Sequence, residues 1–464
     1  METEYKKIDK NISHTLLDLM IAFLLFSLTA SSHFPTQPFH EWQKVIVNQE
    51  YKGPLVLDEN DNNTIIVGAV FHDFTGDAIT LGNVSNVYIK NCTIYNIDGN
   101  GIVLRSSKGT DRVTIDGCVI HDTTRNGIIA KQNIDEGIDH TRLVIKNNKL
   151  YKNGTDELDH SLYIQAQDAN IQNNEITGST GNGISIRSSG IVSGNKIRDT
   201  TKSCIRYFSD NVKGPSDTLL LENNTCLLSQ PGSESPAFSL LLSDDSPPNW
   251  IVDQFIIRFN TIAVFTGQRD GIAVESDALR TKNIMVYGNI VINTKDALST
   301  ISNQYIDYYS SNYVSTDFLG FKDLKHPPYD LHLTPWSPAI GYANRETKFP
   351  VADADGHPRT AGHLDAGAYQ LERTTSTTLV QSFAYSIEGL VLIGIIFLAG
   401  MGIKKWRESQ SHQKEDSKTK MAHPNEWMSH FCFTFGYLAP RCWNTAITVR
   451  NRISMSNSRL ARSI

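Results

Sequence analysis

The chain has 464 residues, of which 43 are Lys or Arg and 49 are Asp or Glu, so its formal net charge is −6. With 40% hydrophobic and 20% charged residues, it is neither a disordered polypeptide nor a polytopic membrane protein. Sixteen prolines and six cysteines exclude a collagen and a disulfide-dense miniprotein, and the mild acidity disfavours nucleic acid as a partner.

The N-terminal segment has the pattern of a secretory signal. Lys6, Lys7 and Lys10 precede an apolar run from Leu16 to Ala30, and small residues follow it. A basic start, a short apolar core and a small-residue exit are typical of such signals. We therefore predict a signal peptide or an uncleaved signal anchor at residues 1–31 and a linker at 32–43.

A short apolar alternation around Asn or Cys recurs along the middle of the chain, every 21 to 36 residues. Its members begin at Ile89, Ile115, Ile145, Ile171, Val192, Leu221, Ile257 and Val286. Period-2 strands between Gly and Asn turns, repeated at this interval, indicate a β-solenoid. We expect the recurring Asn and Cys residues to stack as an internal ladder, in which side-chain amides bond from coil to coil.

A second strand can be aligned in each repeat. These strands begin at Ala78, Gly101, Gly127, Ser161, Gly183, Cys204, Ala237, Gly271 and Ala297. Their inward positions are apolar at nearly every level, so each coil needs its neighbours to cover it. The pattern predicts an all-β protein, a right-handed parallel β-helix of about nine coils at residues 44–316.

This alignment also places outward side chains on one exposed sheet face. One column contains Gly82, Arg105, Lys131, Gln165, Arg187 and Phe208, and the next contains Thr80, Val103, Ile129, Tyr163, Ser185 and Arg206. Just before the strands stand Asp77, Asn100, Asn126, His160 and Asn182. Since neighbouring coils lie about 4.8 Å apart, the basic residues would crowd one face and favour an anionic ligand.

The cysteines predict thiols more readily than a bridge. Cys92 and Cys118 share one column on adjacent coils, where a stacked pair of buried thiols is favoured over a disulfide. Cys204 and Cys226 fall on different strands, without an obvious partner for either. No acidic cluster has the spacing of a calcium-binding loop, so no metal site is predicted, and cofactor use stays open.

The C-terminal part predicts a membrane anchor. A closing segment at 317–372 and a juxtamembrane linker at 373–386 precede an apolar stretch with Glu388 as its only ionised residue, which we assign as a transmembrane helix at 387–403. The tail at 404–464 has eleven basic and four acidic residues, which favours the cytoplasm. The chain would then cross the cell membrane once, or twice if residues 1–31 are retained, with an extracellular or periplasmic ectodomain.

The coil pattern resembles the bacterial right-handed β-helix proteins that include alginate and chondroitin lyases and mannuronan epimerases. Ser337-Pro-Ala-Ile-Gly341, Asp353-Ala-Asp-Gly-His-Pro-Arg359 and Asp365-Ala-Gly-Ala-Tyr369 resemble the segment that closes many of these β-helices. Their acids Asp353, Asp355 and Asp365 are expected to close the coil through turn hydrogen bonds. The Asp-Pro-His string of the epimerases is absent, because Asp159 precedes His160 directly.

Two functions from different classes remain open. In the first, the protein is lyase- or epimerase-like and acts on an acidic polysaccharide. His160 and Tyr163 would transfer protons, Arg187 would neutralise the uronate carboxylate, and Arg105, Lys131, Arg206 and Gln165 would bind substrate. Asp156 and Asp159 would raise the pKa of His160 and orient it. In the second, the face is a non-catalytic glycan-binding or structural module.

Overall fold

The structure of the chain is a computed structural model. It describes residues 42–371, except 134, 230–234, 242–245, 266–268, 276–282, 293–305, 318–319 and 325. The predicted signal, transmembrane helix and tail lie outside these residues. Within the described part, no helix is both long and apolar enough to cross a membrane.

Three parallel sheets wind around a common axis. Sheet 1 consists of Lys44–Val47, Thr64–Val67, Val84–Lys90, Thr110–Asp116, Val144–Lys146, Ala169–Gln172, Gly190–Ser193, Thr218–Glu222, Gln254–Arg258, Asn283–Tyr287 and Tyr308–Ser310, with His140–Thr141 beside its fourth strand. Sheet 2 consists of Glu50–Tyr51, Val70–Thr75, Thr93–Asp98, Val119–Thr123, Lys149–Tyr151, Glu175–Thr177, Lys196–Arg198, Thr225–Leu228, Thr261–Val264, Ile290–Ile292 and Tyr313–Ser315. Sheet 3 consists of Leu55–Leu57, Ile79–Leu81, Ile102–Leu104, Ile128–Ala130, Leu162–Ile164, Ile184–Ile186, Ile205–Phe208, Phe238–Leu241 and Ile272–Glu275.

Each strand pairs in parallel with the equivalent strand of the next coil. Sheet 3 shows the predicted register, because Ile102 aligns with Ile128, and Leu162 lies between Ile128 and Ile184. Among the described residues, nine coils contribute a strand to all three sheets, and two more contribute to sheets 1 and 2. The predicted parallel β-helix is therefore confirmed. Two 3₁₀ turns, Glu59–Asp61 and Pro248–Trp250, interrupt it.

The core is a set of aliphatic columns along the axis. Ile102, Ile128, Leu162 and Ile184 are each fully buried, as are their counterparts in the other two sheets. Side chains alternate across a strand, so the inward position of every coil falls on the same column. A coil alone would leave this stripe exposed, which is why only stacking makes the repeat stable.

An amide ladder lines the turn between sheets 1 and 2, as predicted. Asn195 Oδ1 accepts hydrogen bonds from the backbone N–H and the side-chain amide of Asn174, at 3.0 and 2.9 Å. Asn195 in turn donates in the same two ways to Asn224. Buried amides repeat this arrangement at Asn148, Asn260, Asn289 and Asn312. The ladder satisfies turn N–H groups that lie out of reach of water.

The cysteine predictions divide. Cys92 and Cys118 are free, buried thiols on adjacent coils, as expected, and Cys118 Sγ accepts the Cys92 N–H at 3.4 Å. The prediction for Cys204 and Cys226 was wrong, since they form a disulfide with their Cα atoms 6.0 Å apart. Cys204 precedes a sheet 3 strand and Cys226 lies in sheet 2. Both are fully buried, and the bond joins these two positions across the interior. Aligning residues of one column along the axis does not reveal such a pair.

The C-terminal segment, residues 317–371, packs against the side of the β-helix. It contains the antiparallel pair Phe321–Asp323 and Asp330–Leu333. Asp353 accepts hydrogen bonds from the backbone of Asp355, His357 and Gln370, which confirms its predicted role in the turn. Asp365 accepts from the backbone N–H of Gly341 and Leu371. Asp355 differs from the prediction, because its carboxylate binds His332 and Lys196 instead.

Candidate functional site

The predicted site lies on the outward side of sheet 3, in the fifth to seventh coils. Here the rings of His160 and Tyr163 stack nearly parallel, with centroids 5.7 Å apart. The Arg187 guanidinium lies over the Tyr163 ring at 4.7 Å and over the Phe208 ring at 5.1 Å. The structure thus brings the three predicted catalytic residues together. We call Tyr163, Arg187, Phe208 and Asp210 the sheet-3 cluster.

Asp210 is the centre of this cluster, and the sequence analysis missed it. Its Oδ2 lies 2.8 Å from Arg187 Nη1, and its Oδ1 lies 3.5 Å from Gln165 Nε2. Arg187 Nε also donates to Ser185 Oγ at 3.0 Å. With the Arg187 side chain only 12% exposed, the guanidinium is held by protein groups on several sides.

The environment shifts the pKa of Tyr163 upward. Burial of the phenol is the largest cause, and the Arg187 charge opposes it. A hydrogen bond with Asp210 and the charge of that carboxylate raise the pKa further. These contacts make the phenol hold its proton more tightly than an exposed tyrosine does.

His160 belongs to a second ladder, at the turn that leads into sheet 3. Its backbone N–H donates to Asn126 Oδ1 at 2.8 Å, and its Nδ1 accepts the Asn182 N–H at 3.1 Å. Asn126 is bonded in the same way to Asn100, and Asn182 accepts the backbone N–H of Ser203. The imidazole thus occupies a position that asparagines fill in neighbouring coils. Since Nδ1 accepts a backbone hydrogen bond, the neutral ring carries its proton on Nε2.

The expected rise in the His160 pKa was wrong. Burial, the largest cause, and the charges of Arg187, Lys202 and Arg206 together lower its pKa to about 3. The ring is 3% exposed. Asp159 does not orient it, because its carboxylate accepts the backbone N–H groups of Thr155 and Asp156. Although Asp159 precedes His160 in sequence, its carboxylate is bound within the turn and not to the imidazole ring.

The remaining predicted residues extend the face along the axis. Lys131 follows Ala130 and is exposed, and Arg105 follows Leu104 one coil earlier and is half-buried. Among the described residues neither makes an ion pair. Arg206 lies 5.9 Å from the Phe208 ring centroid. The order along the axis is therefore the predicted one, with Lys131 and Arg105 beyond the cluster.

One wall of the site comes from an insertion after the seventh sheet 3 strand. Asn211 is fully buried and donates from Nδ2 to the Gln165 carbonyl, and Ser188 Oγ donates to the Val212 carbonyl at 2.9 Å. This insertion, at 211–217, thus packs against the ends of the sheet 3 strands. A second insertion, at 228–250, lies partly outside the described residues. Within those residues, no group of three or more His, Cys, Asp or Glu side chains is placed to hold a metal.

These observations define the protein as a right-handed parallel β-helix. Residues 44–155 match the family model described as "right handed beta helix region". No curated protein matches the chain.

Solved structures with a related fold include three carbohydrate-active proteins. Pectate lyase Pel9A is 11% identical, with a TM-score of 0.40 over 71% of this chain and 86% of its own. The A-module of the Azotobacter vinelandii mannuronan C-5 epimerase AlgE6 is 15% identical, with a TM-score of 0.35 over 59% and 90%. The GH87 α-1,3-glucanase of Streptomyces thermodiastaticus is 20% identical, with a TM-score of 0.34 over 54% and 53%. Such low scores and identities assign no activity to this chain.

Proposed function

We propose that the outward face of sheet 3 binds an acidic polysaccharide. The observation that carries this proposal is the set of cationic side chains on one face of sheet 3, beside the Tyr163 and Phe208 rings. Arg105 and Lys131 follow the third and fourth strands, and Arg187 and Arg206 belong to the sixth and seventh coils. Arg187 has a carboxylate partner in Asp210, whereas Lys131 and Arg105 have none among the described residues. Arginine and lysine bind the carboxylates of a uronate polymer, and aromatic rings supply apolar contact area.

The geometry favours different roles within this face. Lys131 is exposed and one coil from Tyr163, so it is available to a ligand without displacing a protein contact. Arg187 is already bound to Asp210 and Ser185, so it positions the two rings and adds positive potential. His160 supports the ring of Tyr163 from the ladder.

Catalysis by β-elimination is a second candidate, which the position of the Tyr163 phenol beside Arg187 favours. In this reaction a base removes the C5 proton of a uronate, the C4–O bond breaks, and a C4–C5 double bond forms. The carboxylate that the sheet-3 cluster offers as this base is Asp210. The departing oxygen needs a proton, and a protonated Tyr163 beside the cations could donate it. In C5 epimerisation no bond to C4 would break, and C5 would instead receive a proton from an acid on the opposite side.

The experiment uses the full chain with alginate, pectate, chondroitin and hyaluronan. Retardation in affinity gels reports binding, and absorbance near 235 nm reports unsaturated uronates. We expect Lys131→Gln to reduce retardation, while Lys152→Gln, an exposed charge removed outside this face, leaves it unchanged. Unaltered retardation in Lys131→Gln combined with Arg206→Gln would contradict the proposal.

Absorbance separates the two candidates. New absorbance that Tyr163→Phe abolishes without changing retardation would establish the lyase. Binding without absorbance leaves a binding module or an epimerase, and proton NMR of the recovered polymer distinguishes these two. Neither signal on any of the four polymers would leave a structural surface protein.

We further propose that the β-helix is an extracytoplasmic domain with a C-terminal membrane anchor. The hydrophobic stretch at 387–403 and the basic tail support it, and so does the Cys204–Cys226 disulfide, since such bonds persist in oxidising compartments. Protease added to intact cells should digest the β-helix and spare an epitope at the C-terminus. Digestion of that epitope in intact cells would refute the orientation.

A further inference from the structure

A groove of about 350 Å³ lies on the outward side of sheet 2, away from the sheet-3 cluster. Its floor spans three coils, with Glu175 and Thr177 in the sixth, Lys196 and Arg198 in the seventh, and Thr225 and Leu227 in the eighth. Pro328 to His332 and Tyr369, from the C-terminal segment, form the opposite side. We call this cavity the sheet-2 groove. Its volume is within the range of small-molecule sites, about 300–1,000 Å³.

Protein contacts hold one end of the groove in place. His332 lies between two carboxylates, with Nδ1 bonded to Asp330 and Nε2 to Asp355. Lys196 Nζ lies 3.3 Å from Asp355 Oδ1 and 5.6 Å from the centre of the Tyr369 ring. The Tyr369 ring also stacks against His332, with centroids 4.0 Å apart. These side chains are preorganised, because each has a partner before any ligand arrives.

The charges of the groove leave one cation without a counterion. Asp355 contacts both Lys196 and His332, and Asp330 contacts His332, so both carboxylates have partners within the groove. Glu175 lies 3.8 Å from Lys149, outside the groove.

Arg198 makes one hydrogen bond, from Nε to Thr177 Oγ1 at 3.0 Å, which fixes its guanidinium. Its two terminal nitrogens have no partner among the described residues. They present a planar fork, which matches a carboxylate in a bidentate geometry.

We propose that the sheet-2 groove is a second ligand site, which binds a small uronate sugar by its carboxylate. Arg198 supplies the fork for the carboxylate. Thr177, Thr225 and Glu175 supply hydroxyl and carboxylate groups for sugar hydroxyls, and Tyr329 lines the side. The size restricts the ligand to one or two sugar rings, so this site differs from a polymer-binding face.

Saturation-transfer NMR and calorimetry on the full chain test the proposal, with galacturonate and glucuronate as probes. Galactose and acetate are the controls, because galactose has the sugar ring without the carboxylate and acetate has the carboxylate without the ring. We expect both uronates to bind, and galactose and acetate to bind at least tenfold more weakly. Galactose binding equal to that of galacturonate would refute the role of the carboxylate, and acetate binding of equal strength would refute the role of the sugar.

Variants assign the binding to this groove. We expect Arg198→Gln to weaken uronate affinity at least tenfold, and Arg198→Lys to weaken it less because the charge remains. Arg112→Gln, a charge removed from the outward side of sheet 1, should leave it unchanged. Thermal unfolding checks that each variant is folded. If Arg198→Gln does not fold, the affinity of Arg198→Lys alone decides the test. Wild-type affinity in the folded variants, or no uronate binding at all, would overturn the proposal.

The two sites can fail separately. If uronate binding is lost in Arg198→Gln while polymer retardation persists, the groove is supported independently of the sheet-3 face. If Lys131→Gln alone abolishes binding of the small uronate, that ligand occupies the sheet-3 face, and the groove proposal is wrong.

Discussion

Substitution of His160 distinguishes a structural role in the ladder from a catalytic one. In His160→Ala, the buried Asn182 N–H loses its acceptor at 3.1 Å, and the Tyr163 ring loses its stacking partner. An unsatisfied buried donor costs about 1–3 kcal/mol, and an aromatic pair contributes about 0.5–1.5 kcal/mol. We therefore expect His160→Ala to lower the free energy of unfolding by about 1.5–4.5 kcal/mol.

His160→Asn is the matched variant, because asparagine fills the equivalent position at Asn126 and Asn182. Its Oδ1 can accept the backbone N–H as those residues do, so only the stacking contribution is lost. We expect a destabilisation of no more than about 1.5 kcal/mol. Urea unfolding followed by circular dichroism measures both values, and gel retardation with polysaccharide is measured on the same samples.

Two results would refute this interpretation. One is an equal loss of stability in His160→Asn and His160→Ala, which would mean that the ladder hydrogen bond contributes nothing. The other is a stable His160→Asn that binds polymer normally but loses a 235 nm activity present in the wild type. That outcome would show that His160 takes part in proton transfer although its ring is buried and neutral.

Three further perturbations test the fold. Asn195→Ala removes an acceptor of two buried hydrogen bonds and should destabilise by at least about 2 kcal/mol in urea unfolding; an unchanged midpoint would show that the amide ladder is dispensable. Replacing Cys204 and Cys226 together by alanine should cost about 3 kcal/mol, since the bridge closes 22 residues, and equal stability of oxidised wild type and variant would contradict this. Burial lowers the pKa of His140 to about 4 and that of His160 to about 3, so the unfolded chain binds more protons below pH 6.5. Stability should then fall as pH drops from 6.5 towards 4, by up to about 1.4 kcal/mol per pH unit for each histidine, and His140→Asn should reduce the slope; an unchanged slope would refute the assignment.

The sequence predicted the parts of the molecule that follow from repetition. Neighbouring coils are stacked at one fixed spacing, and side chains alternate in and out, so aligned residues become aligned columns. This logic gave the sheet 3 register from Ile102 to Ile184 and the amide ladder around Asn195. It also predicted that His160, Tyr163 and Arg187 lie close together. His160 and Tyr163 belong to one sheet 3 strand and the turn before it, and Arg187 follows the strand of the next coil.

The state of His160 was decided by the tertiary structure. A position just before the strand suggested an exposed base with acidic neighbours, but the turn buries the ring and makes it a hydrogen-bond acceptor. The signal was present in the sequence, since Asn126 and Asn182 occupy the same position. Only the backbone geometry reveals that the imidazole replaces an amide there.

Contacts outside the repeat were not predictable from its period. Asp210 reaches Arg187 because an insertion folds back over the strand ends, and Cys204 reaches Cys226 across the interior. Tyr369 contacts Lys196, which lies more than 130 residues earlier in the sequence, and also contacts His332. Stacking fixes only the relation of each coil to its neighbours. The repeat does not encode where the insertions and the C-terminal segment pack on the β-helix. The insertion at 211–217 completes the sheet-3 site, and the C-terminal segment completes the sheet-2 groove.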